Sequence, residues 1–170
     1  MATTVINLSS LDGSNGFRLD GESADDPSGS VRNAGDVNGD GFDDVIVGTS
    51  PDYPSSNVNY VVFGKASGFD ATMNLSSLDG SNGFRLDGDS TYDRSLISAR
   101  NAGDVNGDGF DDLIVDNRGF DVNGGSSRAH YVMFGKASGF DASLDISNLD
   151  DTNSFRFDGL AELSAYDFFS

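Results

Sequence analysis

The chain repeats itself, and the repeats constrain its architecture more tightly than any other feature of the sequence. Residues 7–21 (Asn-Leu-Ser-Ser-Leu-Asp-Gly-Ser-Asn-Gly-Phe-Arg-Leu-Asp-Gly) recur unchanged at 74–88, and a degraded third copy runs from Asp145 to Gly159. Residues 32–44 recur unchanged at 100–112, and Phe63 to Ala71 recurs at 134–142. The spacing is 67 residues from Phe17 to Phe84 and 71 from Phe84 to Phe155, with the extra residues falling in connecting segments. Self-similarity at this period means one supersecondary unit stacked on copies of itself. The chain reads as a single module over 1–170, with units near 5–71 and 72–142 and a partial third at 143–170.

Within each unit the apolar runs are short and rich in β-branched or aromatic residues. Val45-Ile46-Val47 and Leu113-Ile114-Val115 are read as buried strands, as are Tyr60 to Phe63 and Tyr131 to Phe134. Phe17-Arg18-Leu19 and its copies alternate apolar and polar, the pattern of a half-exposed strand. Gly or Asp-Gly punctuates each end, and no segment holds a 3.6-residue period. Four strands per unit are expected, near 30–37, 44–48, 59–64 and 83–87 in the first. Asn-Ala-Gly at 33–35 and 101–103 suits an innermost strand crowded by neighbouring backbones. The fold class expected is all-β, made of β-propeller blades of four antiparallel strands, two blades per chain.

Composition narrows the chemistry. Acidic residues number 28 against 10 basic ones, a formal charge of -18, which argues against a nucleic-acid partner. All but Glu22 and Glu162 of those acids are Asp, the residue of tight turns and metal loops. With no cysteine, disulfides, thiolate nucleophiles and zinc thiolates are excluded. No run of about 18 apolar residues occurs, so membrane insertion is not expected, and no signal peptide is visible in Met1 to Ser10.

The acids concentrate in two copies of Asp-Val-Asn-Gly-Asp-Gly-Phe-Asp-Asp. Calcium takes six to eight oxygen ligands, and a nine-residue loop supplies them when acids or amides alternate. Asp36, Asn38, Asp40 and Asp44 stand at positions one, three, five and nine, and Phe42 at seven offers its carbonyl. Asp104, Asn106, Asp108, Phe110 and Asp112 are the second set, so two Ca2+ ions per chain are expected. With Asp43 or Asp111 added, each loop is expected to crowd four carboxylates together, a repulsion with no purpose in a simple turn. An EF-hand is excluded, because its twelfth position needs Glu and here holds Val47 or Val115.

These motifs resemble the FG-GAP repeat of integrin-α-type, calcium-binding β-propellers. Gly35 to Gly48 and Tyr60 to Gly64 carry the resemblance, which in a bacterial-looking variant extends over about 5–159. After the second aliphatic strand, Asp116-Asn117 replaces the Gly48-Thr49 of the first unit. The resemblance implies calcium between the first two strands of each blade, in proteins of adhesion, ligand binding or surface display.

The function expected is therefore a non-enzymatic, calcium-binding module for extracellular or cell-surface adhesion or ligand binding. A carbohydrate-binding lectin is the alternative, and a hydrolase comes third. His130, the one histidine, aligns with Asn59 and is read as an exposed strand residue with no acid to hold it. Arg18, Arg85 and Arg156 are expected to pair with Asp20, Asp87 and Asp158, and Phe69 and Phe140 to pack between blades. Ligand contacts are expected where the units differ, at 51–57 and 117–128. Two blades cannot close a ring. Self-association is expected, with three chains favoured, unless the chain is part of a longer propeller.

Overall fold

In a computed structural model, the described residues are 7–22, 28–49, 58–89, 94–120 and 126–158. They form eleven strands and three single-turn 3-10 helices. The strands are β1 (Arg18–Asp20), β2 (Ser28–Gly35), β3 (Asp44–Thr49), β4 (Val58–Val62), β5 (Thr72–Asn74), β6 (Gly83–Asp87), β7 (Arg94–Gly103), β8 (Asp112–Phe120), β9 (Ser126–Met133), β10 (Ser143–Asp145) and β11 (Ser154–Asp158). The strands read from sequence are all present, those of the first unit within one or two residues of the expected bounds, whereas β8 and β9 run about five residues further, to Phe120 and from Ser126. The helical turns follow from local chemistry: Asn7, Asn74 and Asp145 each accept the N–H two residues on, from Ser9, Ser76 and Ser147.

Pairing is antiparallel along β2-β3-β4-β6 and along β7-β8-β9-β11, one set per unit. One strand of each unit was not legible. The three-residue β10 leaves its own unit and pairs parallel with β6, making a fifth strand on the first sheet. The first sheet is therefore not a purely four-stranded antiparallel one. β5 pairs with β1 in the same register, Arg18 opposite Thr72 as Arg85 is opposite Ser143. The third outer-strand copy thus completes the second sheet, and the first copy stands where the outer strand of a preceding sheet would be.

The alternation of β3, β4 and β6 separates two cores. Ile46, Val61, Phe84 and Leu86 face the second sheet, packing with Ala99, Leu113, Val115, Tyr131 and Met133. Val47, Tyr60 and Val62 face the other way and are covered by Leu75, Leu78, Leu19 and Phe69. Phe140 is indeed an inter-sheet residue, stacked on Phe84 with ring centroids 4.8 Å apart, and Phe69 stacks on Phe17 at 4.0 Å. Gly80 makes the close approach feasible: a Cβ there would lie 2.1 Å from the Phe140 carbonyl oxygen.

Gly80 and Gly68 both have positive φ (89° and 73°), but Gly68 has open space around it. Gly68→Ala is expected to cost about 1 kcal/mol in backbone strain alone, whereas Gly80→Ala adds overpacking and should cost about 3 kcal/mol. Equilibrium denaturation of the two variants checks the difference; equal losses would mean that the sheets do not meet at Gly80.

Candidate metal loops and an ion-paired face

Each Asp-rich loop joins the first strand of its sheet to the second, and its side chains fold inward onto its own backbone. The Asp36 carboxylate accepts the N–H groups of Asp40 (3.0 Å) and Gly41 (2.8 Å), Asn38 Oδ1 accepts that of Asp40 (3.0 Å), and Asp40 accepts that of Phe42 (2.9 Å). The second loop repeats the set, with Asp104 accepting from Asp108 and Gly109, Asn106 from Asp108, and Asp108 from Phe110. Gly39 and Gly41 hold positive φ, as do Gly107 and Gly109, which lets the chain wind this tightly. The ninth-position acids lie beneath: Asp44 accepts from Val37 (2.9 Å) and Gly64 (2.8 Å), and Asp112 from Val105 (2.8 Å) and Gly135 (2.9 Å).

Burial pushes the Asp44 carboxyl up to about 6; the hydrogen bonds from Gly64 and Val37 oppose this, and the charges of Asp40 and Asp36 add to it. Among the described residues no ion pair involves any of the six loop acids. No three His, Cys, Asp or Glu side chains there are grouped closely enough to hold a metal by themselves. The third side chain of each loop is an amide, Asn38 or Asn106, and the ligand expected at the seventh position is a carbonyl. The donors are all oxygens, and a carboxylate that accepts two N–H groups retains further lone pairs. Such a set fits a hard cation such as Ca2+.

The crowd of four carboxylates expected in each loop is not found, since no three acids are grouped there among the described residues, and Asp111 turns to the other unit instead. Asp111 reaches across to the other unit and accepts the Asp36 N–H at 2.9 Å, while its own N–H donates to the Asp36 carbonyl at 3.0 Å. Asp43, its copy, is exposed. The Phe110 ring packs on Gly39, and Phe42 is 42% exposed. The second loop therefore buttresses the first.

His130 is not a freely exposed strand residue. Its Nδ1 lies 2.7 Å from Asp116 Oδ1, Asp116 also pairs with Arg100, and the imidazole stacks on Phe157 at 5.1 Å. The signal in the sequence is a double replacement: Asp116 and His130 stand where the first unit has Gly48 and Asn59. Those positions face each other in register, so the two changes create one contact. The recurring arginines pair within the outer strands as expected, Arg18 with Asp20 and Arg85 with Asp87, each at 2.7 Å. The partner expected for Arg156 involves the Asp158 side chain, which lies outside what is described, as do residues 51–57.

The β2-loop-β3-β4 arrangement is the part of the chain that the comparisons recognise. Residues 30–63 match the family model of the FG-GAP repeat. The matched stretch contains the whole first loop, and the second unit repeats 32–44 unchanged at 100–112. No curated protein and no solved structure matches the chain. Among the described residues, no helix is long and apolar enough to cross a membrane.

Two copies of one loop in different surroundings give a direct test. Asp111→Ala is expected to cost about 1 kcal/mol by orphaning the Asp36 N–H, whereas Asp43→Ala should stay within about 0.5 kcal/mol of the parent. Urea denaturation of both variants measures this, and equal effects would remove Asp111 from the contact between units.

Proposed function

We propose that the chain is a calcium-stabilised, non-enzymatic β-propeller module that binds a ligand or a surface outside the cell. The observation that carries this reading is the loop pair: two all-oxygen cages of the same sequence with matching internal hydrogen bonds and no cationic side chain. Ca2+ would be held by Asp36, Asn38, Asp40, Asp44 and the Phe42 carbonyl, and by Asp104, Asn106, Asp108, Asp112 and the Phe110 carbonyl. The ion's part is to neutralise acids that otherwise repel one another where two strands begin. The extracellular setting follows from the millimolar calcium available there.

A hydrolase is disfavoured by the order of the one suggestive row. Ser98, Asp116 and His130 lie side by side on β7, β8 and β9, so the aspartate separates serine from histidine. A serine triad needs the histidine in the middle. A lectin remains the alternative ligand reading, and a glycan array distinguishes it from protein adhesion.

Two ions per chain are expected by calorimetric titration, with a melting temperature that rises with calcium and falls on chelation. Asp40→Ala combined with Asp108→Ala should abolish that response; a calcium shift surviving in the double variant would overturn the ligand assignment. Magnesium should substitute poorly, because it demands a smaller octahedral shell.

Self-association belongs to the same proposal, since the second sheet leaves Phe155 59% and Phe157 38% exposed. The contact would differ from the internal one, because Asp151 stands where Gly80 admits Phe140. Light scattering in millimolar calcium tests it: a ring of three chains has three times the mass of the chain, and a 17.8 kDa particle at high concentration rules it out.

A further inference from the structure

An Asn-Gly bond carries its own reactivity. Glycine has no Cβ, so its amide nitrogen can close on the carbonyl carbon of the preceding asparagine side chain. The described residues hold such pairs at 15–16, 38–39, 82–83 and 106–107. Asn15 and Asn82 point backwards: each accepts an N–H from three residues earlier, Asp12 or Asp79, and donates to a carbonyl further back, of Ser10 or Ser77. Asn38 and Asn106 point forwards. Each accepts the N–H of the aspartate two residues on at 3.0 Å and donates to that aspartate's carboxylate, so the side chain folds over the glycine peptide that would attack it.

The two forward pairs lie in identical stretches, 32–44 and 100–112, and in either one attack requires the loop to open locally. They differ in what resists opening. In the first loop the Asp36 N–H donates to Asp111 and the Asp36 carbonyl accepts the Asp111 N–H, while the Val37 carbonyl accepts the Lys136 N–H at 3.0 Å. The Phe110 ring covers Gly39, where a Cβ would lie 2.2 Å from it. Val37 is 0% exposed and Asn38 half-buried. In the second loop Val105 is 59% exposed, Asn106 is exposed, and Gly107 faces open space. Its one additional bond, from the Gly107 N–H to Asp104 at 2.7 Å, is exposed to water. Water replaces an exposed bond at little net cost, whereas opening the first loop breaks three bonds to the second unit and lifts a packed ring.

We infer that Asn106 is a site of spontaneous deamidation, and that packing of the second unit withholds the same reaction from Asn38. The Gly107 nitrogen bonds to Asn106 Cγ and gives up its proton, and the side-chain nitrogen leaves as ammonia. The cyclic imide so formed takes up water. Opening at the side-chain carbonyl leaves aspartate; opening at the main-chain carbonyl leaves a backbone routed through the side chain, longer by a methylene. The longer link falls between the third and fourth positions of the loop, so the donors on either side of it lose their spacing. Where the loops hold calcium as proposed above, the second ion is lost first. The modification itself does not rest on that reading, and its test reads mass, not metal.

The full chain is incubated in mildly alkaline buffer with millimolar calcium, digested with trypsin and read by mass spectrometry. Cleavage after arginine and lysine places Asn38, Asn82 and Asn106 in separate peptides, 33–65, 66–85 and 101–118. Conversion of Asn106 to the acid is expected to run at least about tenfold faster than that of Asn38, with Asn82 unconverted. In concentrated urea Asn38 and Asn106 should convert at one rate, because their neighbours in sequence are the same. Phe110→Ala removes the ring and keeps the carbonyl; it should speed conversion at Asn38 and leave Asn82 unconverted. Equal rates at the two loops in the folded chain, unequal rates in urea, an unchanged Asn38 in the variant, or Asn82 rising there together with Asn38 would each overturn the inference.

Discussion

Everything in this structure depends on how one sheet closes over its neighbour. A lone antiparallel sheet buries neither face. Here the first sheet obtains one core from the second sheet and a second core from its own connecting segments. The stacked rings of Phe84 and Phe140 lie at the centre of the first contact, and Gly80 admits the Phe140 backbone. The parallel strand β10 then binds along β6, so the second unit holds the first by main-chain hydrogen bonds as well as by apolar burial. Because β5 does the same to β1, the contact is a property of the repeat, used wherever one unit follows another.

The loops are part of the same contact. Asp44 and Asp112 tie each loop to the glycine two residues past its third strand, Gly64 or Gly135, and Asp111 ties the second loop to the first. A cation in the first loop would therefore sit on a platform partly made by the next unit. The second loop has the same sequence and internal bonds but lacks that buttress among the described residues, since Gly103 and Gly107 face open space. Identical sequence does not give identical surroundings, and the free faces at the two ends differ for the same reason.

Much of this was legible before any coordinates. The strands with β-branched or aromatic runs, the alternating acids and amides of the loops and the arginine-aspartate pairs of Arg18 and Arg85 in the outer strands all follow from short-range pattern. What escaped were features whose cause lies in another unit. Thr72-Met73-Asn74 shows no alternation, and it becomes a strand because β1 offers an edge. Asp43 and Asp111 cannot be told apart by sequence, yet one caps a distant N–H and the other meets solvent. His130 was readable in part, had the changes at 48/116 and 59/130 been taken as a pair across neighbouring strands.

The sequence by itself determined the all-β unit, its length, its number of copies and the oxygen donors of the loops, because each rests on residue type and spacing within a few positions. The tertiary structure decided which outer-strand copy completes which sheet, where the eighth-position acids go, and that Arg118 and Arg128 face each other beside the His130-Asp116 pair. These depend on register between strands far apart in the chain and on which face another unit covers. A repeat written twice in the same letters carries no record of its neighbours, so only the packed structure could distinguish the two.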